Sequence, residues 1–287
     1  MKPARFAYHA PASLEEALAL LAGADDARVL AGGQSLIPMM NFRIVAPAML
    51  IDLGRIAALS YIREEGGVIR IGAMTRQRQL EFSPLVAAKL PLLIEALRFV
   101  GHLPTRSRGT IGGSISHADP AAEIPMVVQA LGGEVVAQRA GGERVIAAAD
   151  LFSAALTTTL APDEILTEVR LPAMLPGTGV AVEEFARRHG DFAIGAIAAT
   201  VRREASGGIA VRLAAAGLTA TSLRLRSAEA ALEAAGLSAA AIEATAQQIG
   251  RDLVEPLSDQ NGSADYRRHI AGVLARRALT EAAARAA

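Results

Sequence analysis

The sequence contains no cysteine. That excludes structural disulfides, Cys-ligated zinc, iron–sulfur clusters held by this chain alone and a cysteine nucleophile. It fits a cytoplasmic location, where structural disulfides are rare. An excess of one charge is also lacking. With 29 basic and 29 acidic residues, no overall field favours nucleic acid or an anionic membrane. Metal-ligand spacing is missing too. The five histidines are His9, His102, His117, His189 and His269. None lies two to four residues from another and no H-E-x-x-H occurs, so no protein-bound metal is expected. No apolar run approaches the roughly 18 residues of a spanning helix, and Met1 to His9 lacks the apolar core of a signal peptide. Ser114 and Ser116 lie near His117, but no G-x-S-x-G elbow surrounds them and neighbours in sequence are not a triad. No catalytic residue is assigned.

What remains is a chain of 287 residues, 52% hydrophobic, long enough for one large or two ordinary domains. Ser13 and Glu16 form a capping box opening a helix that ends near Gly23. Strands follow at 27–31 and 48–53, with a short helix at 36–42 between them. Hairpins are expected around Glu64-Glu65-Gly66-Gly67 and Ala140-Gly141-Gly142. Thr75 caps a helix through Leu80. Pro91 to Val100 places Leu92, Leu93, Ala96, Leu97 and Val100 on one helical face. A loop spans Gly101 to Gly113. Helices are expected at 121–131 and 149–154, and a strand at 165–171 stops at Pro172. Residues 172 to 179 hold two Pro and two Gly and read as a linker. Beyond it, strands at 181–188, 193–203 and 209–217 precede helices near 227–235, 238–251 and 264–285. Strands followed by helices imply an α+β domain.

Two glycine-centred stretches organise the rest. One is Ala31-Gly32-Gly33-Gln34-Ser35-Leu36; the other is Thr110-Ile111-Gly112-Gly113-Ser114. Glycine lets another group approach the backbone closely, and successive bare N–H groups form an anion-binding concavity. Neither stretch matches a P-loop or G-x-G-x-x-G fingerprint, so each alone reads by default as a plain tight turn. Together, with polar donors at Gln34, Ser35, Thr110 and Ser114, they are candidates for two walls of one phosphate site. His117 beside Asp119 reads either as a turn held by side-chain-to-backbone bonds or as a ligand contact. Arg187 is by default a solvated or ion-paired side chain, and Phe192 a core one.

These stretches resemble those of the FAD-binding medium subunits of the molybdenum hydroxylases, among them aerobic carbon monoxide dehydrogenases and bacterial N-heterocycle hydroxylases. The resemblance rests on residues 31–40, on Arg106 to Ser114, on His117 to Glu123 and on Arg187-Arg188-His189-Gly190-Asp191-Phe192-Ala193. Phe6-Ala7-Tyr8 and Tyr266-Arg267-Arg268 also fit, so it covers essentially the whole chain. It implies a vanillyl-alcohol-oxidase (PCMH)-type FAD-binding domain over 1–175. A three-stranded antiparallel sheet with three helices follows over 176–287. It implies that Ala31, Gly32, Gly33, Gln34, Ser35 and Leu36, with Thr110, Ile111, Gly112, Gly113 and Ser114, surround the FAD pyrophosphate and the adjoining ribityl or adenosine groups. His117, Asp119 and Glu123 fall in a cofactor-contacting region, Leu166 at an apolar flavin contact, and Arg187 and Phe192 near the isoalloxazine. Two departures stand out. Carbon monoxide dehydrogenases carry Tyr where Phe192 stands, and animal xanthine dehydrogenases carry Asn-Thr in place of Gln34-Ser35.

The resemblance further implies an oxidoreductase subunit. Its FAD would take electrons from [2Fe-2S] clusters of a small partner subunit and release them to an external acceptor. A large partner would carry molybdopterin and oxidise the substrate, an N-heterocycle or CO, in a dimer of heterotrimers. The alternatives are a stand-alone flavin oxidase of the same fold and a scaffold with an empty site.

Overall fold

A computed structural model describes residues 1–287, the side chain of residue 252 excepted. The chain opens with β1 (Ala7–His9), α1 (Leu14–Ala22), β2 (Ala27–Leu30), α2 (Leu36–Asn41) and β3 (Met49–Asp52). Here β3 lies between β1 and β2, parallel to both. The Ser13 hydroxyl accepts the Glu16 N–H (3.2 Å), while the Glu16 carboxylate takes the N–H of Ala12 (3.0 Å). The expected cap is thus present, displaced by one residue on its return arm.

A second sheet is built from β4 (Ile62–Glu65), β5 (Val68–Gly72) and, after six helices, three further strands. The helices are α3 (Gln77–Glu81), α4 (Pro84–Lys89), α5 (Pro91–Leu97), α6 (Leu103–Arg108), α7 (Ile111–His117) and α8 (Glu123–Leu131). Then come β6 (Glu134–Arg139), β7 (Gly142–Ala147), α9 (Ala148–Leu151), the small ladder β8 (Phe152–Ala154) and β9 (Thr157–Thr158), and β10 (Ile165–Pro172). The strand order is β4-β5-β10-β6-β7, antiparallel throughout. Both hairpins stand where their Gly-Gly turns place them.

The last part holds β11 (Gly179–Phe185), β12 (Gly195–Arg203), β13 (Ile209–Ala216), β14 (Leu223–Arg224), α10 (Arg226–Ala235), α11 (Ala239–Asp252) and α12 (Ala264–Arg285). The three long strands form an antiparallel meander, and the two-residue β14 adds a fourth strand at its edge. Both faces of this sheet are buried, in alternation. Val180, Val182, Ala196, Ala198, Ala214 and Ala216 join the cluster of α5 and α8. Ala181, Ile197, Ala199, Val201, Val211, Leu213 and Ala215 join the cluster of α10, α11 and α12. Successive strand side chains point to opposite faces, so a strand covered on both sides reads as one continuous apolar run. That is why Gly195 to Val201 carries no charge. The main core therefore continues across the Pro/Gly-rich stretch 172–179.

Several expectations are corrected. Thr75 caps nothing. Its hydroxyl pairs with the N–H (3.1 Å) and carbonyl (3.0 Å) of Tyr61, and Arg76 is the residue before α3. The strand expected to reach Arg188 ends at Phe185. The strands β1, β8, β9 and β14 are two or three residues long, too short to show a period. Most important for the site, the loop expected at 101–113 contains α6 and the start of α7.

Candidate cofactor-binding site

The end of β2 delivers Ala31 to a tight bend at Gly33, which has φ 71°. Only glycine takes this left-handed conformation without strain. From there the chain enters α2, with Ile37 N–H bonded to the Gly33 carbonyl (3.1 Å) and Met39 N–H to that of Ser35 (3.1 Å). The N–H groups of Gly32, Gly33, Gln34, Ser35 and Leu36 find no acceptor among the described residues. Five successive backbone donors with no protein partner form an anion-binding nest. The residues carrying them are half-buried, except Gln34, which is exposed. The Gln34 side chain folds back, its Nε2 donating to the Gly32 carbonyl (3.3 Å).

The second stretch is built differently. Thr110 is the N-cap of α7, its hydroxyl accepting the Gly113 N–H (3.0 Å). Ile111 N–H goes to the Thr75 carbonyl (3.1 Å), Gly112 N–H to that of Ala73 (2.9 Å) and Ser114 N–H to that of Thr110 (3.1 Å). Its amides are therefore used inside the protein, and it is a helix start rather than a bare loop. A Cβ on Gly112 would lie 2.5 Å from that of Ala73, so this glycine serves close packing. Replacing Thr110 by valine keeps the volume and removes the cap. We expect it to lower stability by about 1 kcal/mol, measured by urea denaturation.

The two stretches meet. A Cβ on Gly32 would stand 2.8 Å from Gly109 Cα and closer still to the Arg108 carbonyl oxygen. One on Gly113 would stand 3.4 Å from Ala31 Cβ. Arg76 holds the junction, its Nη1 donating to the Arg108 carbonyl. Gln77 N–H bonds the Gly109 carbonyl (2.9 Å). Neither Arg76 nor Gln77 is identifiable in the sequence, because a tertiary contact leaves no local pattern.

After α7 the chain turns sharply at Ala118, with φ 52°. His117 Nε2 stands 3.9 Å from Asp119 Oδ2, and Asp119 Oδ1 accepts the Ala121 N–H (2.9 Å). The turn reading of this segment therefore holds, with Asp119 as its staple. Glu123 begins α8 and is 8% exposed. Burial, followed by the Asp119 charge, pushes its carboxyl up to about 7. Glu184 on β11 is pushed up to about 8, first by burial and then by the charge of Glu123. Leu166 is 4% exposed, inside the main core opposite Ala137 on β6.

The third stretch, Arg187 to Ala193, is tied at both ends to the segments flanking α6 and α7. A Cβ on Gly190 would lie 2.8 Å from His102 Nδ1, just before α6. The Gly217 N–H bonds the Pro120 carbonyl (2.6 Å), and a Cβ on Gly217 would lie 2.7 Å from the Ala193 carbonyl oxygen. Arg187 is exposed and donates to the Gln260 carbonyl (3.0 Å). Phe192, expected by default in a core, is 71% exposed. Two surface clefts of about 450 and 480 Å³ flank the β6–β7 turn. No residue of the glycine stretches lines them. Among the described residues, no three His, Asp or Glu side chains cluster as metal ligands, and no helix is long and apolar enough to cross a membrane.

The family described as "FAD binding domain in molybdopterin dehydrogenase" matches residues 4–174. That described as "CO dehydrogenase flavoprotein C-terminal domain" matches residues 180–282. The chain belongs to the FAD-binding medium subunits of the molybdenum hydroxylases. This medium subunit is 41% identical over 288 residues to the 6-hydroxypseudooxynicotine dehydrogenase complex subunit alpha of Paenarthrobacter nicotinovorans, covering 100% of this chain and 97% of the relative. It is 40% identical to the carbon monoxide dehydrogenase medium chain of Hydrogenophaga pseudoflava, covering 100% of both. The solved carbon monoxide dehydrogenase of that organism superposes with a TM-score of 0.96 and 42% identity, again over 100% of both chains. The medium subunit is an oxidoreductase component that carries FAD. Its unpartnered amides suit a diphosphate, since backbone N–H groups hold phosphate oxygens without a lysine.

Proposed function

We propose that this medium subunit relays electrons between redox centres of partner subunits and an external acceptor. The observation that carries this is the nest of five unpartnered amides, Gly32 to Leu36, walled by Arg108-Gly109. The N–H groups of Gly32 to Leu36 would bind the diphosphate oxygens, with Ser35 and Ser114 adding hydroxyl donors. Arg76 would keep the Arg108 carbonyl against Gly32 and so set the groove's width. Asp119 and Glu123 would accept from cofactor hydroxyls, with Ile111, His117 and Leu166 packing behind them. Arg187 and Phe192 would border the isoalloxazine. When bound, FAD supplies one- and two-electron transfer, which no side chain here performs. The chain's own part is to bind, orient and tune it.

The same reading takes residues 1–175 as the FAD-binding domain and 176–287 as the C-terminal domain. The partners would be a small [2Fe-2S] subunit and a large molybdopterin subunit, in a dimer of heterotrimers in the cytoplasm. Relatives named for nicotine-derived and carbon monoxide substrates support a small N-heterocycle or CO as the substrate of the whole complex. The sequence offers no acid–base or nucleophilic dyad, which favours this reading over a stand-alone oxidase. The test is co-expression with the two partners. The expected product is yellow, with about one FAD per chain, and substrate bleaches it only when the partners are present. A folded, colourless complex under excess FAD would sink the proposal. Substrate turnover by the isolated chain would establish the stand-alone oxidase.

A further inference from the structure

Arg267 is 2% exposed, on the first turn of α12. Its Nη1 donates to the carbonyls of Ile194 (2.7 Å) and Gly217 (2.6 Å). Its Nη2 donates to Asp259 Oδ1 (2.8 Å), and that oxygen also accepts the N–H groups of Asn261 (2.8 Å) and Gly262 (3.1 Å). Its Nε is buried without an acceptor. A buried unpaired donor costs stability, so a guanidinium is kept here despite a cost. The two carbonyls it joins matter more than the charge. Ile194 closes the third stretch two residues after Phe192. Gly217 carries the N–H that holds the Pro120 carbonyl, in the turn between Asp119 and Glu123. The 259–262 bend that accepts Arg267 also receives Arg187 through the Gln260 carbonyl. One side chain thus joins the exposed Phe192 segment to the Asp119–Glu123 turn. The Phe192 segment in turn leans on His102 at the start of α6, whose other end packs on Gly32. The six residues of α6 rise about 9 Å.

We infer that Arg267 is a positioning residue for the flavin, fixing Phe192 relative to the Asp119–Glu123 turn through the Ile194 and Gly217 carbonyls. The inference rests on the cofactor reading above. Arginine presents several donors in a rigid fork, whereas a lysine ammonium is a single compact charge. Arg267→Lys therefore keeps the buried charge but cannot span two carbonyls and a carboxylate in this geometry.

The experiment is a double-mutant cycle on the complete FAD-loaded complex, with Arg267→Lys, Phe192→Ala and both together. Its readouts are FAD per chain, visible circular dichroism of the bound flavin, and the rate at which a dye reoxidises the dithionite-reduced complex. FAD content is expected to stay near one in Arg267→Lys, because the amide nest is untouched, and in every variant the other two readouts are taken per bound FAD. Each single variant is expected to change the dichroism and the reoxidation rate, by about three- to tenfold for the rate, with the double variant no further from wild type than the worse single one. Additive effects overturn the inference, as does an unchanged dichroism with only a lower melting temperature. If Arg267→Lys does not accumulate folded, Asp259→Ala replaces it in the cycle, because it removes the carboxylate that anchors Nη2 from the solvent side. The same non-additivity with Phe192→Ala is then expected, and additivity overturns the inference equally. A wild-type complex that holds no FAD refutes the cofactor reading instead.

Discussion

Replacing Gly32 by valine is expected to strip the medium subunit of FAD while leaving it folded. The new Cβ would lie 2.8 Å from Gly109 Cα and closer still to the Arg108 carbonyl oxygen. Both are backbone atoms, and Arg76 and Gln77 pin that backbone from behind. The clash can only be relieved by separating the two walls of the groove. Overpacking of this kind costs roughly 1–3 kcal/mol, within the 5–15 kcal/mol of a typical domain. The nest amides would lose their common orientation, and a diphosphate held by several of them would bind at least about a hundredfold more weakly, or ~2.7 kcal/mol. Gly33→Ala is the graded control. Its Cβ would meet only the flexible side chains of Ile37 (3.1 Å) and Leu30 (3.3 Å), though at φ 71°. That strain is of order 1–2 kcal/mol, so a weakening of about tenfold is expected. The check is FAD stoichiometry after gel filtration, with calorimetric titration of the apoprotein. Wild-type FAD content in Gly32→Val would show that the groove is not where the diphosphate lies.

The same pair of stretches shows how much of the site is legible in the sequence. Gly-Gly between hydroxyl and amide side chains marks a bare backbone, and for Gly32-Gly33 that inference is sound. For Gly112-Gly113 the same signal misleads. Thr110 is a good N-cap, and Ile111 and Ile115 lie four residues apart on one helical face, but glycine's low helix propensity hides them. Tertiary packing on Ala73 selects glycine there, not a need for flexibility. The fold reads well wherever burial is two-sided and long, as in β12, or where a Gly-Gly turn joins alternating runs, as at 64–67. It reads poorly where an element is defined by its partner, as in the three residues of β1 or the two of β14. Arg76 carries no local mark, and Arg267 is marked only by its place in the Tyr266-Arg267-Arg268 resemblance, since each works on carbonyls brought near only by the fold. Phe192 is read as core by its chemistry alone, and its exposure comes from the turn that Arg267 and His102 shape.

Stability is expected to fall as pH rises from about 5 to about 8, and Glu184→Gln should remove much of that fall. Glu184 sits on edge strand β11, with Oε2 buried and unpartnered. Its carboxyl is pushed up to about 8 and that of Glu123 to about 7. In both, burial is the first cause. Asp119 adds to Glu123, and Glu123 adds to Glu184. The two are electrostatically coupled, so they are best treated as a pair titrating in two steps. In the unfolded chain each glutamic acid titrates near 4.3. Between that value and the folded ones, the folded state binds more protons than the unfolded state, so stability decreases with pH. The favourable contribution is complete below about pH 4 and is lost as pH rises through about 7 and about 8. Each roughly tenfold gain in proton affinity on folding corresponds to ~1.4 kcal/mol. Glu184 retains some contact with water, and discounting for that screening leaves an effect on the order of 2 kcal/mol. The measurement is the urea midpoint of the FAD-loaded protein and of Glu184→Gln at pH 5 and pH 8.5. The variant should match wild type at pH 5 and exceed it at pH 8.5, because a neutral amide is spared the buried charge. Parallel pH slopes in the two proteins would refute the buried pair.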